Sequence, residues 1–157
     1  MNPYLSLAFL SVLVPAAFGT DPDGFAIWKP AELRDRQTAL HAKVGPDSSA
    51  RETLGNYGNH MVRMLHRVAD GAPEYHQSFI DMWIVVSGGG TLVVGGTLVD
   101  PKPLGGEGDL TGTSINGGER HEVAQGDIIH IPPRTAHEIL VPGGKQITYL
   151  RVAIPAQ

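Results

Sequence analysis

Residues 74–88 have the sequence EYHQSFIDMWIVVSG, and this stretch predicts the fold of the chain. Its β-branched residues lead into a run of Gly, which is typical of a strand that ends in a turn at Gly88–Gly90 and is followed by another strand. Glu74 and His76 stand two positions apart, so on an extended segment both side chains leave the same face. Asp81 then faces them from the next strand. We therefore expect metal-competent side chains to gather at one end of a β-sheet.

A second polar segment lies further along the chain, where residues 126–137 have the sequence GDIIHIPPRTAH. The two segments together resemble the paired motifs of the cupin family, whose members are small antiparallel barrels that usually hold a divalent metal ion on His and Glu side chains. The second cupin motif is G-x5-P-x-G-x2-H. Gly126, Pro132 and His137 stand at its spacings, while Arg134 replaces its inner Gly. His137 therefore takes the position of a metal ligand.

The first segment resembles the first cupin motif, H-x-H-x3,4-E-x6-G, with two substitutions. Six residues separate Asp81 from Gly88, so Asp81 takes the Glu position, and His76 and Glu74 take the two His positions. The resemblance covers residues 60–154 and implies an all-β fold, a small antiparallel jelly-roll barrel in a single domain. It also implies one divalent metal ion with four ligands, Glu74, His76, Asp81 and His137.

The expected ligand set has two imidazoles, one or two carboxylates and no sulfur. Such a set suits Mn(II), Fe(II), Ni(II) or Zn(II), and the carboxylates favour the harder ions. Glu74 has an alternative role as a general base beside the ion. We also expect His130 to be a catalytic residue that contacts the substrate or supports the ligands. The alternative to a metal site is a cluster in which these polar groups hydrogen-bond one another.

Two functions follow from the resemblance, because cupins include both enzymes and binding domains. The first is a metal-dependent enzyme of the lyase, isomerase or dioxygenase type that acts on a small oxygen-bearing molecule. The second is a non-catalytic module that binds a small sugar or polyol, with the metal ion as a structural or ligand-bridging centre. The resemblance also implies a homodimer. Because fold alone does not define function, the choice depends on the site.

The composition excludes several other classes. With 157 residues the chain is long enough for one domain, and its 20 Gly and 12 Pro favour an all-β fold with many turns. The net charge is −4 and no basic run is present, which argues against a nucleic-acid or anionic-membrane surface. Because the sequence contains no Cys, disulfides and thiolate metal ligands are excluded.

The N-terminus predicts export. Residues 5–14 are almost entirely apolar, and small residues follow up to Gly19, which is the pattern of a signal peptide over residues 1–19. The first four residues contain no Lys or Arg, so a buried N-terminal strand or helix is the alternative. The apolar run is shorter than the ~20 residues that a membrane-spanning helix needs. We therefore expect a periplasmic or secreted protein without a stable membrane span.

The remaining sequence divides into residues 20–58, a lead-in with one helix, and residues 59–157, the barrel. Pro30 suits the first turn of a helix, and Gly45-Pro46 ends it after about Lys43. Residues 46–58 are polar and contain Gly, which predicts a loop or a short helical turn. Residues 100–118 predict a surface excursion with one short strand and a role as a flap over the barrel.

Alternation along residues 59–70 predicts a strand whose interior face carries His66 between apolar neighbours, Val62, Met64 and Val68. His41 is expected to be an ordinary surface or packing residue of the helix. Trp83 shares the face of Asp81 and is expected either to line the cavity or to belong to the core.

Overall fold

The computed structural model describes residues 21–156, which fold into one helix and twelve strands. The signal peptide predicted for residues 1–19 lies outside the described residues. The elements are α1 Pro30–His41, β1 Ser49–Asn56, β2 Met61–Arg67, β3 Glu74–Tyr75, β4 Phe79–Val94, β5 Thr97–Val99, β6 Lys102–Pro103, β7 Leu110–Thr111, β8 Ser114–Asn116, β9 Glu119–Ala124, β10 Ile128–Ile131, β11 His137–Leu140 and β12 Ile147–Pro155.

Two antiparallel sheets share the long strand β4. The first half of β4 pairs with β10 and β12, and the first sheet continues from β12 to β2 and β1. The second half of β4 pairs with β9 and β11, and the second sheet continues from β11 to β3, β7 and β6. Strands β5 and β8 form a separate pair. The predicted all-β jelly-roll barrel with a short N-terminal helix is therefore confirmed.

The triple glycine Gly88–Gly90 bends β4 from one sheet into the other. The sequence predicted a turn between two strands here, but β4 continues through these residues. Gly88 has a φ of 70°, which favours Gly. A Cβ on the three glycines would collide with the carbonyl oxygens of Gln146, Val123 and Leu140, respectively. Neighbouring backbones therefore pack where a side chain would lie, and the strand changes sheets without ending.

Strand β1 occupies most of the segment predicted to be a loop. Its residues Ser49–Asn56 pair with β2 in a nearly continuous antiparallel register. The polar composition of this segment is compatible with an edge strand, where one side is open to solvent. The prediction was wrong because pairing with β2 outweighs the weak local preference of the sequence.

Both faces of the first sheet are covered. One face belongs to the barrel interior, whose buried apolar residues are Trp83, Val85, Leu92, Val123, Ile131, Ile139, Val141, Ile147 and Tyr149. The other face packs under α1, where Leu40 of the helix meets Ala50, Met64 and Leu150. Burial of such apolar side chains is worth roughly 1.5–3 kcal/mol each and attaches the helix to the barrel. Within residues 21–156 no helix is long and apolar enough to cross a membrane.

The interior face of β2 is the opposite of the one predicted. Met64 packs under α1, and His66, on the same face, contacts His41 of that helix. The cavity is instead lined by Arg63, Leu65 and Arg67. Alternation separates the two faces of a strand but does not say which is inside when both are covered.

Candidate metal centre

His76 follows β3 and has its ring fixed by a carboxylate. Its Nδ1 lies 3.1 Å from Oδ2 of Asp109, and the other oxygen of Asp109 accepts the backbone N–H of Gln77 at 2.9 Å. Because the carboxylate accepts, Nδ1 of His76 carries the proton and donates it. The Nε2 atom of the neutral ring then carries no proton and is an acceptor. A carboxylate behind a histidine is a common support for metal-binding imidazoles.

His137 is the first residue of β11 and is fixed in a similar way. Its Nδ1 lies 3.0 Å from the backbone oxygen of Thr135, and a carbonyl oxygen only accepts, so Nδ1 is again the donor. The Nε2 atom is buried and has no hydrogen-bond partner among residues 21–156. Both imidazoles therefore present an acceptor nitrogen to the interior.

Glu74 brings a carboxylate to the same place. It stands opposite His137 in the register of β3 and β11, and its Oε2 lies 3.4 Å from Nε2 of His76. Candidate ligand atoms of Glu74, His76 and His137 all lie within 4.8 Å of one another. Bonds to a transition metal are about 2.0–2.2 Å long, so these separations fit donors around one ion. The structure therefore contains a Glu-His-His group that is able to hold a metal ion.

Asp81 lies beside this group and is only 1% exposed. Its Oδ2 is 3.5 Å from Nε2 of His137 and 3.6 Å from Nε2 of His76, whereas its Oδ1 is 2.7 Å from Nη2 of Arg151. The same Nη2 lies 3.1 Å from Nε2 of His76. Asp81 is thus divided between an ion pair and the two imidazoles, and its role as a fourth ligand stays a prediction.

The electrostatics of this cluster favour positive charge at its centre. Burial opposes ionisation of Glu74, but the hydrogen bond with His76 and the charge of His137 outweigh burial and lower its pKa. Burial likewise opposes ionisation of Asp81, and His137 and Arg151 together lower its pKa. For His76, burial favours the neutral ring, but Glu74 and Asp81 prevail and raise its pKa. Protons, the guanidinium of Arg151 and a divalent ion are therefore alternative positive partners for the same acceptor atoms of this cluster.

The cluster opens into a cavity of about 510 Å³. Trp83 and Tyr149 are stacked on its wall with ring centroids 4.5 Å apart, and Phe79 lines it as well. Trp83 is 3% exposed and also belongs to the interior core, so both expectations for this residue hold. The cavity has the size and the mixed apolar and polar lining of small-molecule sites.

His130 lies outside this cavity. It is exposed and stands opposite Met82 in the register of β10 and β4, whereas the neighbours of His130, Ile129 and Ile131, stand opposite Trp83 and Asp81. The expected catalytic role of His130 is therefore corrected. As in β2, alternation separated the two faces of the strand, but the interior face was assigned wrongly.

Two residues of the site were missed. Asp109 comes from the segment predicted to be a surface excursion, and no local pattern distinguishes it from other acidic loop residues. Arg151 had a visible signal, because it is a charged residue in the apolar strand β12 and faces inward with Tyr149 and Ala153. A charge on the inner face of a barrel strand favours a functional site.

Comparisons with solved structures identify the fold. A cupin-2 domain protein from Rhodospirillum rubrum matches with a TM-score of 0.50 and 18% identity, and the match covers 68% of this chain and 60% of that protein. The polyketide cyclase RemF from Streptomyces resistomycificus matches with a TM-score of 0.52 and 18% identity over 77% of each chain. KdgF from a Halomonas species matches with a TM-score of 0.52 and 16% identity over 73% of this chain and 85% of its own.

No protein-family model and no curated protein sequence matches the chain. At these identities the structural matches show the fold alone. The chain has the single-domain cupin fold, as its two motifs predicted.

Proposed function

We propose that the protein is an exported, metal-dependent cupin enzyme acting on a small oxygen-bearing molecule. One observation carries the proposal: Nε2 of His76 and His137 and the carboxylate of Glu74 converge at the edge of the cavity, while each ring is fixed through its Nδ1. Two histidines and one carboxylate suit iron, manganese, nickel or zinc. Export through residues 1–19 and homodimer formation belong to the proposal as expectations.

A bound divalent ion would polarise a carbonyl or hydroxyl oxygen of the substrate and, if it is iron, would give access to oxygen chemistry. The chain itself holds the site in place, because Asp109 and the Thr135 carbonyl orient the two imidazoles. Trp83 and Phe79 restrict water around the substrate. An oxygen of Glu74 that is not used for binding can accept a proton from the substrate, which fits lyase and isomerase chemistry.

A second candidate is a non-catalytic binding protein for a small sugar or polyol. The observation that favours it is the position of Arg151, whose Nη2 contacts both Asp81 and His76. In this candidate the guanidinium provides the positive charge that the acceptor cluster favours. The polar atoms of the cavity would then bind the ligand directly.

The test is metal content and metal affinity of the purified protein. Elemental analysis is combined with calorimetric titration of Mn(II), Fe(II), Ni(II) and Zn(II) into the chelator-treated protein. We expect His76→Ala and His137→Ala to weaken binding by more than the roughly 10–100-fold that loss of a supporting hydrogen bond costs. His130→Ala is the matched control, because it removes an exposed imidazole outside the cavity. Equal metal affinity in all three variants would refute the proposal.

Arg151→Gln separates the metal-dependent enzyme from a binding protein that holds no metal. If the site holds a metal, removing the competing guanidinium preserves or raises the metal affinity. If the protein is a metal-free binding module, neither the wild type nor Arg151→Gln binds a divalent ion, and titration with glucose or xylitol shows binding that the variant loses.

A further inference from the structure

Four arginines line the wall of the cavity that is formed by β1, β2 and β12. They are Arg51, Arg63, Arg67 and Arg151. Arg63 and Arg151 stand directly opposite each other in the register of β2 and β12. Arg51 stands opposite Leu65 and therefore lies diagonal to both Arg63 and Arg67. Like charges at directly opposed positions of a sheet are destabilising, so this wall concentrates positive charge at a structural cost.

Three of these arginines form no ion pair with the described part of the chain. Arg151 pairs with Asp81, but among residues 21–156 no carboxylate oxygen lies within 4.0 Å of a guanidinium nitrogen of Arg51, Arg63 or Arg67. The Nε of Arg63 donates a hydrogen bond to the sulfur of Met61, and the Nε of Arg67 lies 3.4 Å from the hydroxyl of Tyr149. Since Nε makes these contacts, the terminal nitrogens of both groups remain available as paired donors.

The cavity therefore carries both acidic and basic side chains. Glu74 and Asp109 line it beside the candidate metal centre, and Arg51, Arg63 and Arg67 line it from β1 and β2. Its lining also includes the apolar residues Leu65, Phe79 and Trp83. A basic wall inside a cavity fits a small ligand, and the net charge of −4 does not favour a nucleic acid.

We propose that the cavity binds a small organic oxyanion, with its anionic group on Arg63 and Arg67, Arg51 at the mouth, and its apolar body against Phe79 and Trp83. Guanidinium groups bind carboxylates and phosphates through paired hydrogen bonds, which gives both affinity and orientation. The opposite end of such a ligand then points at the Glu-His-His group. That orientation rests on the proposed function, whereas binding of the anion is measured independently of it.

The experiment compares three probes of one shape and different charge by calorimetry: benzoate, phenyl phosphate and the neutral benzyl alcohol. Each is titrated into the full chain, once loaded with Zn(II) and once treated with chelator. We expect at least one anion to bind about tenfold or more tightly than the alcohol. Hydrogen bonds to charged groups stabilise more than neutral ones, and the difference corresponds to about this ratio of affinities. The preferred anion identifies a carboxylate or a phosphate ester as the ligand class.

Variants locate the anion. Arg63→Gln and Arg67→Gln are each expected to weaken the anion about tenfold and to leave the alcohol unchanged. Arg63→Lys keeps the charge and loses the paired donors, so its affinity for the anion is expected to lie between those of the wild type and Arg63→Gln. Arg34→Gln is the matched control, because Arg34 is exposed on α1 and outside the cavity. Thermal unfolding of each variant verifies that it is folded.

Three results would overturn the inference: no detectable binding of either anion, equal affinity for anions and alcohol, or anion affinity that is unchanged in Arg63→Gln and Arg67→Gln. The two proposals fail separately. If Zn(II) binds but anions do not, the oxyanion site is refuted and the metal centre stands. If anions bind through Arg63 and Arg67 but no metal ion binds, the metal-dependent enzyme is refuted and the oxyanion site stands.

Discussion

Two pairs of histidines lie on opposite sides of the first sheet, and their surroundings differ. His76 lines the cavity and His137 lies beside it, with carboxylates close to both Nε2 atoms. His66 lies under α1, where its Nε2 is 3.1 Å from Nδ1 of His41 and its Nδ1 is 2.8 Å from the hydroxyl of Thr148. Within residues 21–156 no carboxylate oxygen lies within 4.0 Å of a ring nitrogen of this second pair.

The comparison shows that burial alone does not make a histidine a metal ligand. His66 is fully buried and His76 is nearly so. Burial and the charge of His41 lower the pKa of His66, whereas Glu74 and Asp81 overcome burial and raise the pKa of His76. Nearby carboxylates that attract positive charge therefore distinguish His76 and His137 from His66 and its neighbour His41.

The largest effect expected on the helix side is a loss of stability. Met64 is fully buried beneath α1, so Met64→Ala should lower the free energy of unfolding by about 2–5 kcal/mol through the lost contacts and the cavity left behind. Urea denaturation measures this change. Met82 is partly exposed, so Met82→Ala should lower the free energy of unfolding by less. A decrease in metal affinity of folded Met64→Ala would contradict the separation of the two faces.

The largest effect expected on the cavity side concerns the carboxylate behind His76. Asp109→Asn keeps the shape of the side chain but removes the charge that orients and strengthens the imidazole. We expect the affinity for a divalent ion to fall about 10–100-fold in calorimetric titration. Asp100→Asn, which changes an exposed carboxylate of the same segment, should bind like the wild type. If both variants bind equally well, Asp109 does not support a metal ligand.

The corresponding substitution under the helix should act on stability alone. Thr148→Val removes the hydroxyl that pairs with Nδ1 of His66 and leaves this nitrogen buried without a partner. We expect a loss of about 1–2 kcal/mol in the free energy of unfolding and no change in metal affinity. Asp109→Asn and Thr148→Val thus form a matched pair. The contrast between the faces is lost if Thr148→Val also weakens metal binding tenfold.

The smallest effect is a pH dependence of stability from His66. Its pKa in the folded protein is below the value of about 6.5 expected in the unfolded chain, so the unfolded chain takes up more protons as the pH falls. Stability should therefore fall as the pH drops below about 6.5, by at most about 1.4 kcal/mol per pH unit, until the folded pKa is reached. The free energy of unfolding is measured between about pH 5 and 7.5 for the wild type and for His66→Gln, which lacks the contribution of His66. If the free energies of the two proteins change equally with pH, His66 makes no such contribution.

Much of the fold and part of the site follow from local patterns. The spacing of Gly126, Pro132 and His137 and the pattern after Glu74 resemble the two cupin motifs, and this resemblance predicted the barrel. The resemblance also implied that Glu74, His76, Asp81 and His137 would meet. Side chains two apart on a strand share a face wherever the strand lies, so the shared face of Glu74 and His76 needed no knowledge of the packing.

Other parts depended on contacts between distant segments. Asp109 reaches His76 because β7 pairs with β3, and Arg151 reaches Asp81 because β12 lies beside β4. No rule based on neighbours in sequence contains these pairings. The path of β4 through Gly88–Gly90 likewise depends on the backbones packed against it.

The linear chain was enough to indicate, through the resemblance of its two motifs to those of cupins, an antiparallel barrel and the acidic and imidazole side chains that come together in it, because motif spacing and alternation are visible along the sequence. Which face of β2 and β10 lies inside was established by packing. Since α1 covers the outer face of β2, both faces of this strand are packed, and alternation alone does not say which one lines the cavity. Only the assembled sheets assign His66 to the helix and Arg63 and Arg67 to the cavity.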